Sequence, residues 1–281
     1  MSLRRRLDSE LVRRGLAPSR GRAAELIADG VVLVAGSVAN RPSRLVAPGE
    51  PVLVLESGPT YVSRGGEKLA AALDQFRLDL KGARALDAGA STGGFTDCLL
   101  QHGADSVVAV DVGRGQLHEK LRNDPRVTAL DRTNLRVVTP QSVGGPFDVV
   151  TADLSFISLR TVADTLVALV GTGGHLLLLI KPQFEVGRRE ASRGKGIVRS
   201  PELWRSAVSD VIAAFQRAGA TMMGVMVSPL RGADGNVEFL AHLQVVECPI
   251  NLGGSPAISA VTADLIEAAV GSATALAESR A

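Results

Sequence analysis

The sequence predicts an α/β protein in which a doubly wound, mostly parallel sheet follows a small N-terminal unit of helices and short strands. From about residue 64 onward, apolar runs of strand length alternate with amphipathic or alanine-rich segments. Residues 1–57 show a different order, with two helical segments followed by short β-runs. Between them, residues 58–63 begin with Gly58 and Pro59 and are predicted to form a linker.

The composition is that of a globular protein. Of 281 residues, 46% are hydrophobic and 21% are charged, which excludes a disordered or fibrous chain. The two cysteines, Cys98 and Cys248, are too few for a disulfide framework, so we expect a reducing, cytoplasmic location. Cys98 is expected in the core. We predict no metal site, because no ligand spacing relates the four histidines, which we expect at the surface or at helix ends: His102, His118, His175 and His242.

Membrane insertion is not expected from the sequence. No apolar run follows the N-terminal arginines as a secretory signal requires, and the most apolar stretch, His175–Ile180, is far shorter than the roughly 20 residues of a spanning helix. We therefore expect a cytoplasmic protein with no membrane partner, and a monomer.

The N-terminal 44 residues concentrate positive charge. They hold nine arginines and four acidic residues, whereas the net charge of the whole chain is only +2. Two helices are predicted, Arg4–Arg14 and Ser19–Asp29, with Ser19 as N-cap of the second. Arginines grouped in this way bind phosphates, although an acidic protein is an alternative partner. The candidate RNA-binding residues are Arg4, Arg6, Arg20, Arg22, Arg41 and Arg44.

This unit resembles the S4 RNA-binding domain. The resemblance rests on Arg6-Leu7-Asp8, on the Ser19-Arg20 step, on Leu26-Ile27, on Gly30 and on the valine-rich run that ends at Gly36. It implies two helices and a small β-unit that present basic residues to structured RNA.

The larger unit is predicted to contain seven strands. They are ARALDAG, SVVAVDV, RVTAL, FDVVTADLS, GHLLLLIK and a closing pair, TMMGVMVSP and EFLAHLQVVE. After residue 248 a C-terminal extension, residues 249–281, is predicted to hold one helix around Ser259–Leu276.

A glycine-rich turn follows the first of these strands and precedes a helix, an order that suits a nucleoside cofactor. Asp111 ends the next strand, where a carboxylate can accept ribose hydroxyls. Asp131, after the third strand, is a candidate near the adenine. The dinucleotide fingerprint G-x-G-x-x-G and the P-loop are both absent. The turn is similar to motif I of FtsJ-type S-adenosylmethionine-dependent methyltransferases, and its candidate residues are Asp87, Gly89, Ser91, Thr92, Gly93, Gly94 and Phe95.

Polar residues also stand at the ends of later strands. Asp153 follows FDVVTA, Lys181 follows GHLLLLI and Glu238 opens EFLAHL, so all three are expected to line one crevice. Lys68, in RGGEKL, is a fourth candidate. Each lysine alone is more often a surface or salt-bridge residue than a catalyst.

The strings YVSRGGEKL, LDAGASTGGFTDCLLQHGA, VVTADLSFISL and LLLLIKPQFE resemble the TlyA (haemolysin A) family over about residues 4–247. The resemblance implies an S4 domain over residues 1–57 and an FtsJ-like methyltransferase domain over residues 64–248. It further implies S-adenosylmethionine as cofactor, ribosomal RNA or its subunits as partner, and ribose 2′-O-methylation of a cytidine. The family tetrad maps onto Lys68, Asp153, Lys181 and Glu238.

Within this tetrad we expect Lys181 to accept the proton of the ribose hydroxyl, Asp153 and Glu238 to position it, and Lys68 to orient the ribose. Base methylation is disfavoured because neither Asn-Pro-Pro-Tyr nor Pro-Cys occurs. An RNA-binding protein or a cytolysin without methyltransferase activity is the remaining alternative. The arginine- and lysine-rich run Lys181–Arg199 is interpreted either as an RNA-clamping loop or as a solvated loop.

Overall fold

A computed structural model of the chain describes residues 4–28, 30–55, 61–187, 196–232, 234–246 and 259–278. It divides into two compact units, residues 1–60 and residues 61–281. Residues 188–195 of the predicted basic loop and residues 58–60 of the predicted linker lie outside the described residues, as does Asp29. The domain limits therefore stay predictions.

The N-terminal unit packs two helices against short strands around a core of its own, which includes Leu7, Leu11, Ile27 and Val32. One two-stranded ladder pairs β1 with β4, and β2 forms a second small sheet with β3 and β5. The elements are β1 (Arg5–Arg6), α1 (Leu7–Arg13), α2 (Arg20–Ala28), β2 (Val32–Val34), β3 (Ser37–Val38), β4 (Leu45–Val46) and β5 (Val52–Val54).

The first helix begins three residues later than predicted. Arg5 and Arg6 are extended instead, because they pair with Val46 and Leu45 in an antiparallel ladder. This contact across the chain decides their conformation, and local propensity cannot report it. The second helix agrees more closely with its prediction, since the Ser19 hydroxyl accepts a hydrogen bond from the Arg22 N–H at 3.2 Å, as an N-cap does.

The larger unit is built on a seven-stranded sheet. Its strands are β6 (Arg84–Ala88), β7 (Ser106–Val110), β8 (Val127–Leu130), β9 (Phe147–Ala152), β10 (Val170–Ile180), β11 (Ala220–Val227) and β12 (Phe239–Val245). Their spatial order is β11-β12-β10-β9-β6-β7-β8. The five strands β6 to β10 are parallel to one another, and β12 runs antiparallel between β10 and β11. All seven predicted strands are present, and the predicted fold class is confirmed.

Helices cover both faces of this sheet, as the alternation along β10 shows. Leu176 and Leu178 belong to one core cluster, and Leu177 and Leu179 belong to the other. A strand buried on both faces reads as an unbroken apolar run, which is why the sequence here is LLLLI. The helices of this unit are α3 (Gly65–Phe76), α4 (Gly94–Gln101), α5 (Glu119–Arg122), α6 (Pro140–Val143), α7 (Ala163–Ala168), α8 (Pro182–Glu185), α9 (Pro201–Arg217) and α10 (Ala260–Glu278).

The C-terminal helix α10 packs onto the sheet unit. Ile266, Val270 and Ala273 join the same core cluster as α9, and Glu267 forms an ion pair with Arg205 of α9. By length and composition alone, residues Ala260–Ala277 would suffice to cross a membrane, and 28% of them are buried. The helix predicted around Ser259–Leu276 is thus present, but its length and composition depart from the expectation that no segment would be long and apolar enough to span a membrane.

Two histidines differ from the prediction. His102 and His118 lie at helix ends as expected. His242, in β12, is instead buried, and its Nε2 lies 3.0 Å from Nδ1 of His175 in β10. Burial lowers the pKa of His242 to about 4, with a further contribution from His175. Cys98 is fully buried, which confirms its place in the core.

Candidate active site

A buried carboxylate ties the glycine-rich turn to the sheet. Asp87, near the end of β6, is fully buried. It accepts hydrogen bonds from the hydroxyl of Thr96 in α4 at 2.7 Å and from that of Thr151 in β9 at 3.2 Å. Burial raises the pKa of Asp87 to about 7. Through these hydrogen bonds the Asp87 side chain stabilises the turn from inside the protein. It does not line either of the cavities described next.

The turn itself requires glycine at three points. Gly89 and Gly93 have φ values of +83° and +96°, and a Cβ on Gly89 would lie 2.5 Å from the Asp153 carbonyl oxygen. A Cβ on Gly94 would lie 2.9 Å from the Gly66 nitrogen. The first turns of α3 and α4 therefore approach each other closely, and Lys68 of α3 comes near the turn as a consequence.

A cavity of about 470 Å³ opens beside the turn, within the size range of ligand pockets. Asp111 lies at its edge, where the carboxylate accepts hydrogen bonds from the backbone N–H groups of Ser91 at 2.8 Å and Gly113 at 2.7 Å. A carboxylate has about four lone-pair positions, so it retains acceptors for two hydroxyls. The apolar part of the wall includes Val110, Val112, Leu135, Leu154 and Ile157. An apolar slot with a carboxylate at its rim fits an adenosine group.

Asp131, the predicted adenine neighbour, is not among the described residues that line this cavity. Its carboxylate accepts a hydrogen bond from the Gly115 N–H at 3.0 Å, which holds the pKa of Asp131 below its usual value. Thr133 and Asn134 line the cavity instead. The loop after β8 therefore reaches the cavity through residues beyond the one that the sequence singled out.

A second cavity, of about 310 Å³, shares Gly89, Ser91, Asp153 and Ser155 with the first. It contains two lysine–carboxylate pairs. Lys181 Nζ lies 2.5 Å from Asp153 Oδ1, and Lys68 Nζ lies 2.5 Å from Glu238 Oε2. Thr92 and Phe95 of the predicted turn also line this cavity. The four tetrad residues are thus brought together as two ion pairs.

The sheet topology explains this convergence. Asp153 and Lys181 follow the parallel neighbours β9 and β10, so both side chains emerge at the carboxyl edge. Because β12 is antiparallel and pairs Phe239 with Ile180, its first end lies at that same edge and carries Glu238 there. Position in sequence does not reveal the partners, however. We expected Glu238 to position Lys181, whereas it contacts Lys68; Ser155 Oγ is the additional neighbour of Lys181, at 3.1 Å.

Several further residues at these cavities were not among the sequence candidates. Phe156 is 92% exposed, has φ +65° and lines the larger cavity; its ring centroid lies 5.4 Å from that of Phe184. Arg64, Arg231 and Gly232 line the smaller cavity. The positive φ of a bulky residue marks local strain, but no sequence pattern announces it.

Comparison with known proteins bears directly on this site. Residues 61–245 match the FtsJ-like methyltransferase family, and residues 5–52 match the S4 domain. The chain belongs to the FtsJ-like methyltransferase family, in its TlyA (haemolysin A) group. An S-adenosylmethionine-dependent methyltransferase domain therefore follows an S4 RNA-binding domain.

Three relatives indicate how much of the chain is shared. The 16S/23S rRNA (cytidine-2′-O)-methyltransferase TlyA of Mycobacterium tuberculosis is 49% identical over 87% of this chain and 91% of its own length. Hemolysin A of Brachyspira hyodysenteriae is 37% identical over 84% of this chain and 98% of its own. A solved structure from Streptococcus thermophilus is 34% identical, covers 99% of this chain and 100% of its own, and has a TM-score of 0.72.

Within the S4 domain, the candidate arginines divide by their ion pairs. Arg6 and Arg20 lie 2.8 Å and 3.1 Å from the Asp8 carboxylate and hold its pKa well below the usual range. Arg22 pairs with Glu25, and Arg44 lies 3.7 Å from Glu50. Arg4, Arg5 and Arg41 are exposed and form no ion pair with any residue that the structure describes. Arg5 was not among the sequence candidates.

Proposed function

We propose that this FtsJ-like methyltransferase transfers a methyl group from S-adenosylmethionine to the 2′-hydroxyl of a cytidine ribose in ribosomal RNA of the small subunit, the large subunit or both. The observation that carries the proposal is the pair of lysine–carboxylate contacts in one cavity, Lys181–Asp153 and Lys68–Glu238, beside a nucleoside-sized cavity. A ribose hydroxyl is a poor nucleophile, so its methylation calls for a group that removes the proton.

The cofactor would be held by the glycine-rich turn and by Asp111, and it supplies an electrophilic methyl group. The adenosine part fits the 470 Å³ cavity, where Asp111 accepts from the ribose hydroxyls. The backbone of Gly89 and Ser91 lies at the boundary with the smaller cavity, so the methyl group would be presented toward Lys181.

Lys181 is the proposed proton acceptor. In its amine form the side chain takes the proton from the ribose hydroxyl, and the Asp153 carboxylate at 2.5 Å stabilises the ammonium that results. An aspartate stabilises the imidazolium of a hydrolase triad in the same way. Ser155, at 3.1 Å from Nζ, fixes the direction of the side chain.

Lys68 is the proposed ribose-orienting residue. Glu238, which is 2% exposed, holds the Lys68 ammonium at 2.5 Å and so fixes its position. Two of the three ammonium protons remain for the oxygens of the substrate. Alignment of the hydroxyl with the methyl group accounts for much of the rate gain available to such an enzyme.

The test is to identify the methylated nucleoside. Purified small and large ribosomal subunits that lack the modification are incubated with enzyme and methyl-labelled cofactor, and their RNA is digested to nucleosides. We expect labelled 2′-O-methylcytidine from at least one subunit, and primer extension at limiting dNTP should stop at one position in each RNA that is labelled. Label in a base, or no label at all, would contradict the proposal. Label in one subunit alone would restrict it to that subunit.

A further inference from the structure

The smaller cavity contains more positive charge than its ion pairs neutralise. Six charged side chains line it. Four of them form the two lysine–carboxylate pairs, which leave no net charge. The other two are Arg64 and Arg231, and neither forms an ion pair with any residue in the described part of the chain. With both lysines protonated, the lining therefore has a net charge of about +2 in the absence of ligands, and the two arginines remain unbalanced when Lys181 gives up its proton.

Arg231 is held in place by a closed turn. Its guanidinium donates a hydrogen bond to the Gly235 carbonyl at 3.2 Å, and the Gly232 N–H donates to the Asn236 carbonyl at 2.9 Å. A Cβ on Gly232 would lie 2.6 Å from Oε1 of Glu238. The turn consequently packs directly against the Lys68–Glu238 pair, and the arginine is fixed next to the groups that we propose to handle the ribose.

Asn236 connects this turn to a second segment. Its side chain is 1% exposed, accepts a hydrogen bond from the Val198 N–H at 2.9 Å and donates one to the Gly196 carbonyl at 2.8 Å. The buried amide of Asn236 has both of its ends satisfied, so it ties this residue to Gly196 and Val198. The hydrogen bond from the Arg231 guanidinium to the Gly235 carbonyl restrains this side chain as well, which reduces the conformational entropy that it loses on binding a ligand.

Arg64, the second arginine of the cavity, lies at the start of a helix. It precedes α3, and Ser63, Arg64 and Gly65 all line the cavity. The unsatisfied N–H groups of a helix N-terminus add a positive potential to that of the guanidinium.

We propose that Arg231 and Arg64 bind the phosphodiester groups that flank the target ribose, an assignment that rests on the proposed function. Each nucleotide within an RNA strand has one phosphodiester on either side of its ribose, so two negative charges enter the cavity mouth with the 2′-hydroxyl. S-adenosylmethionine has a net positive charge and cannot balance the two arginines. Arginine forms bidentate hydrogen bonds to phosphate, which fix orientation as well as position.

Phosphate binding by these arginines also serves the chemistry. A ribose held at both of its phosphates can present its 2′-hydroxyl to Lys181 in one orientation only, which is the alignment that methyl transfer requires. The contact does not depend on the base, so the two arginines position the sugar and leave selection of the nucleotide to other contacts.

The experiment measures ribosomal RNA binding against salt concentration for the full-length enzyme, together with cofactor affinity by calorimetry. Arg231→Gln should weaken RNA binding about tenfold and reduce the slope of log K against log salt by about 1, the effect of one lost phosphate contact. Arg64→Gln should do the same, and the double variant should lose about 2 in slope. Cofactor affinity should be unchanged. Arg231→Lys should keep the slope because it keeps the charge.

Arg217→Gln is the matched control, because Arg217 is exposed at the end of α9, away from the cavity lining. It should leave the slope unchanged. If Arg231→Gln leaves the slope and the RNA affinity as in the wild type, the proposal is wrong. If it weakens cofactor binding alone, the guanidinium binds the cofactor carboxylate instead. Should Arg231→Gln fail to fold, Arg64→Gln alone decides. Methylation of ribose by the wild type is measured in the same samples, so failure of this inference is distinct from failure of the proposed function.

Discussion

At the scale of single residues, the two lysines of the site differ in what surrounds them. Lys181 contacts Asp153 and Ser155, both on the loop after β9, whereas Lys68 contacts Glu238. The pairing means that each lysine has its own carboxylate. Loss of the Lys181–Asp153 pair should therefore affect proton removal, and loss of the Lys68–Glu238 pair should affect orientation of the ribose. In each case the other pair should stay in place.

Lys181→Ala tests the proton-transfer step. Removing a general base reduces the rate by about 100-fold or more, so single-turnover methyl transfer at saturating RNA should slow by that factor. Cofactor and RNA affinities should change little, which separates chemistry from binding. Lys181→Arg should not restore the rate, because a guanidinium stays protonated.

The control for this variant is Lys120→Ala, which breaks a lysine–carboxylate contact with Asp97 outside the cavity and should leave the rate unchanged. Near-normal turnover of Lys181→Ala would rule out Lys181 as the base. Restoration by arginine would make it an electrostatic or positioning group.

Asp87 should make folding stability depend on pH. Its pKa is about 7 in the folded protein, because burial disfavours the charge, and about 4 in the unfolded chain. The folded state thus binds the proton more tightly, and stability falls as the pH rises from about 4 to about 7, by at most about 1.4 kcal/mol for each pH unit. Above that range this contribution is constant.

Asp87→Asn should flatten that dependence, since the amide remains neutral. Urea unfolding of the wild type and the variant at pH 5 and pH 8 measures the difference. Asp105→Asn, at an exposed aspartate, is the control and should keep the wild-type pH profile. Parallel profiles for the wild type and Asp87→Asn would show that the Asp87 carboxyl is already charged near pH 5.

At the scale of elements, the sequence predicts where the strands lie better than it predicts which residues contact each other in the fold. The seven strands of the larger unit follow from apolar runs, because buried parallel strands need apolar side chains on both faces. The turn after β6 is predictable because its glycines are required by backbone geometry. Contacts between residues far apart in the sequence are not predictable in this way, because no local pattern reports them. The Lys68–Glu238 contact, for example, joins residues 170 positions apart. The same holds for the Arg5–Val46 ladder and for the buried His175–His242 pair.

One such unpredicted contact joins the two loops that carry the site. Glu185, in α8, is 4% exposed, and it accepts hydrogen bonds from the Ser158 hydroxyl at 2.5 Å and the Leu159 N–H at 2.8 Å. Burial raises the pKa of Glu185. The contact links the segment after Lys181 to the segment after Asp153, and so helps to keep the Lys181 and Asp153 side chains next to each other.

Glu185→Ala should therefore slow methyl transfer, although Glu185 does not line either cavity. Leaving the Leu159 N–H without a buried partner costs about 1–3 kcal/mol of stability, and turnover should fall while cofactor affinity is retained. Thermal unfolding and single-turnover rates measure the two effects. Glu119→Ala, at an exposed glutamate of α5, should change neither. A stability loss with normal turnover would limit Glu185 to a structural role.

At the scale of the whole molecule, the chain consists of two units with separate cores. The S4 domain has its own apolar core and its own small sheets, and the methyltransferase domain contains both cavities. In the proposed function, the exposed arginines of the first domain would provide affinity for RNA phosphates, and the second domain would carry out the methyl transfer in a cavity that holds few nucleotides. Recognition of a large RNA would then depend on both domains.

Deletion of residues 1–57 should accordingly separate cofactor binding from RNA methylation. Because the core clusters of the methyltransferase domain contain no residue from the first unit, the truncated protein should fold and bind S-adenosylmethionine as the full chain does. Its kcat/KM for methylation of ribosomal subunits should fall by at least about 100-fold, since several phosphate contacts are lost together. Calorimetry and single-turnover methylation measure the two properties on one preparation.

Substituting Arg4 and Arg41 by Gln in the full chain is the milder variant, and it should weaken RNA binding and flatten its salt dependence. Full methylation by the truncated protein would mean that the methyltransferase domain recognises ribosomal RNA without the S4 domain.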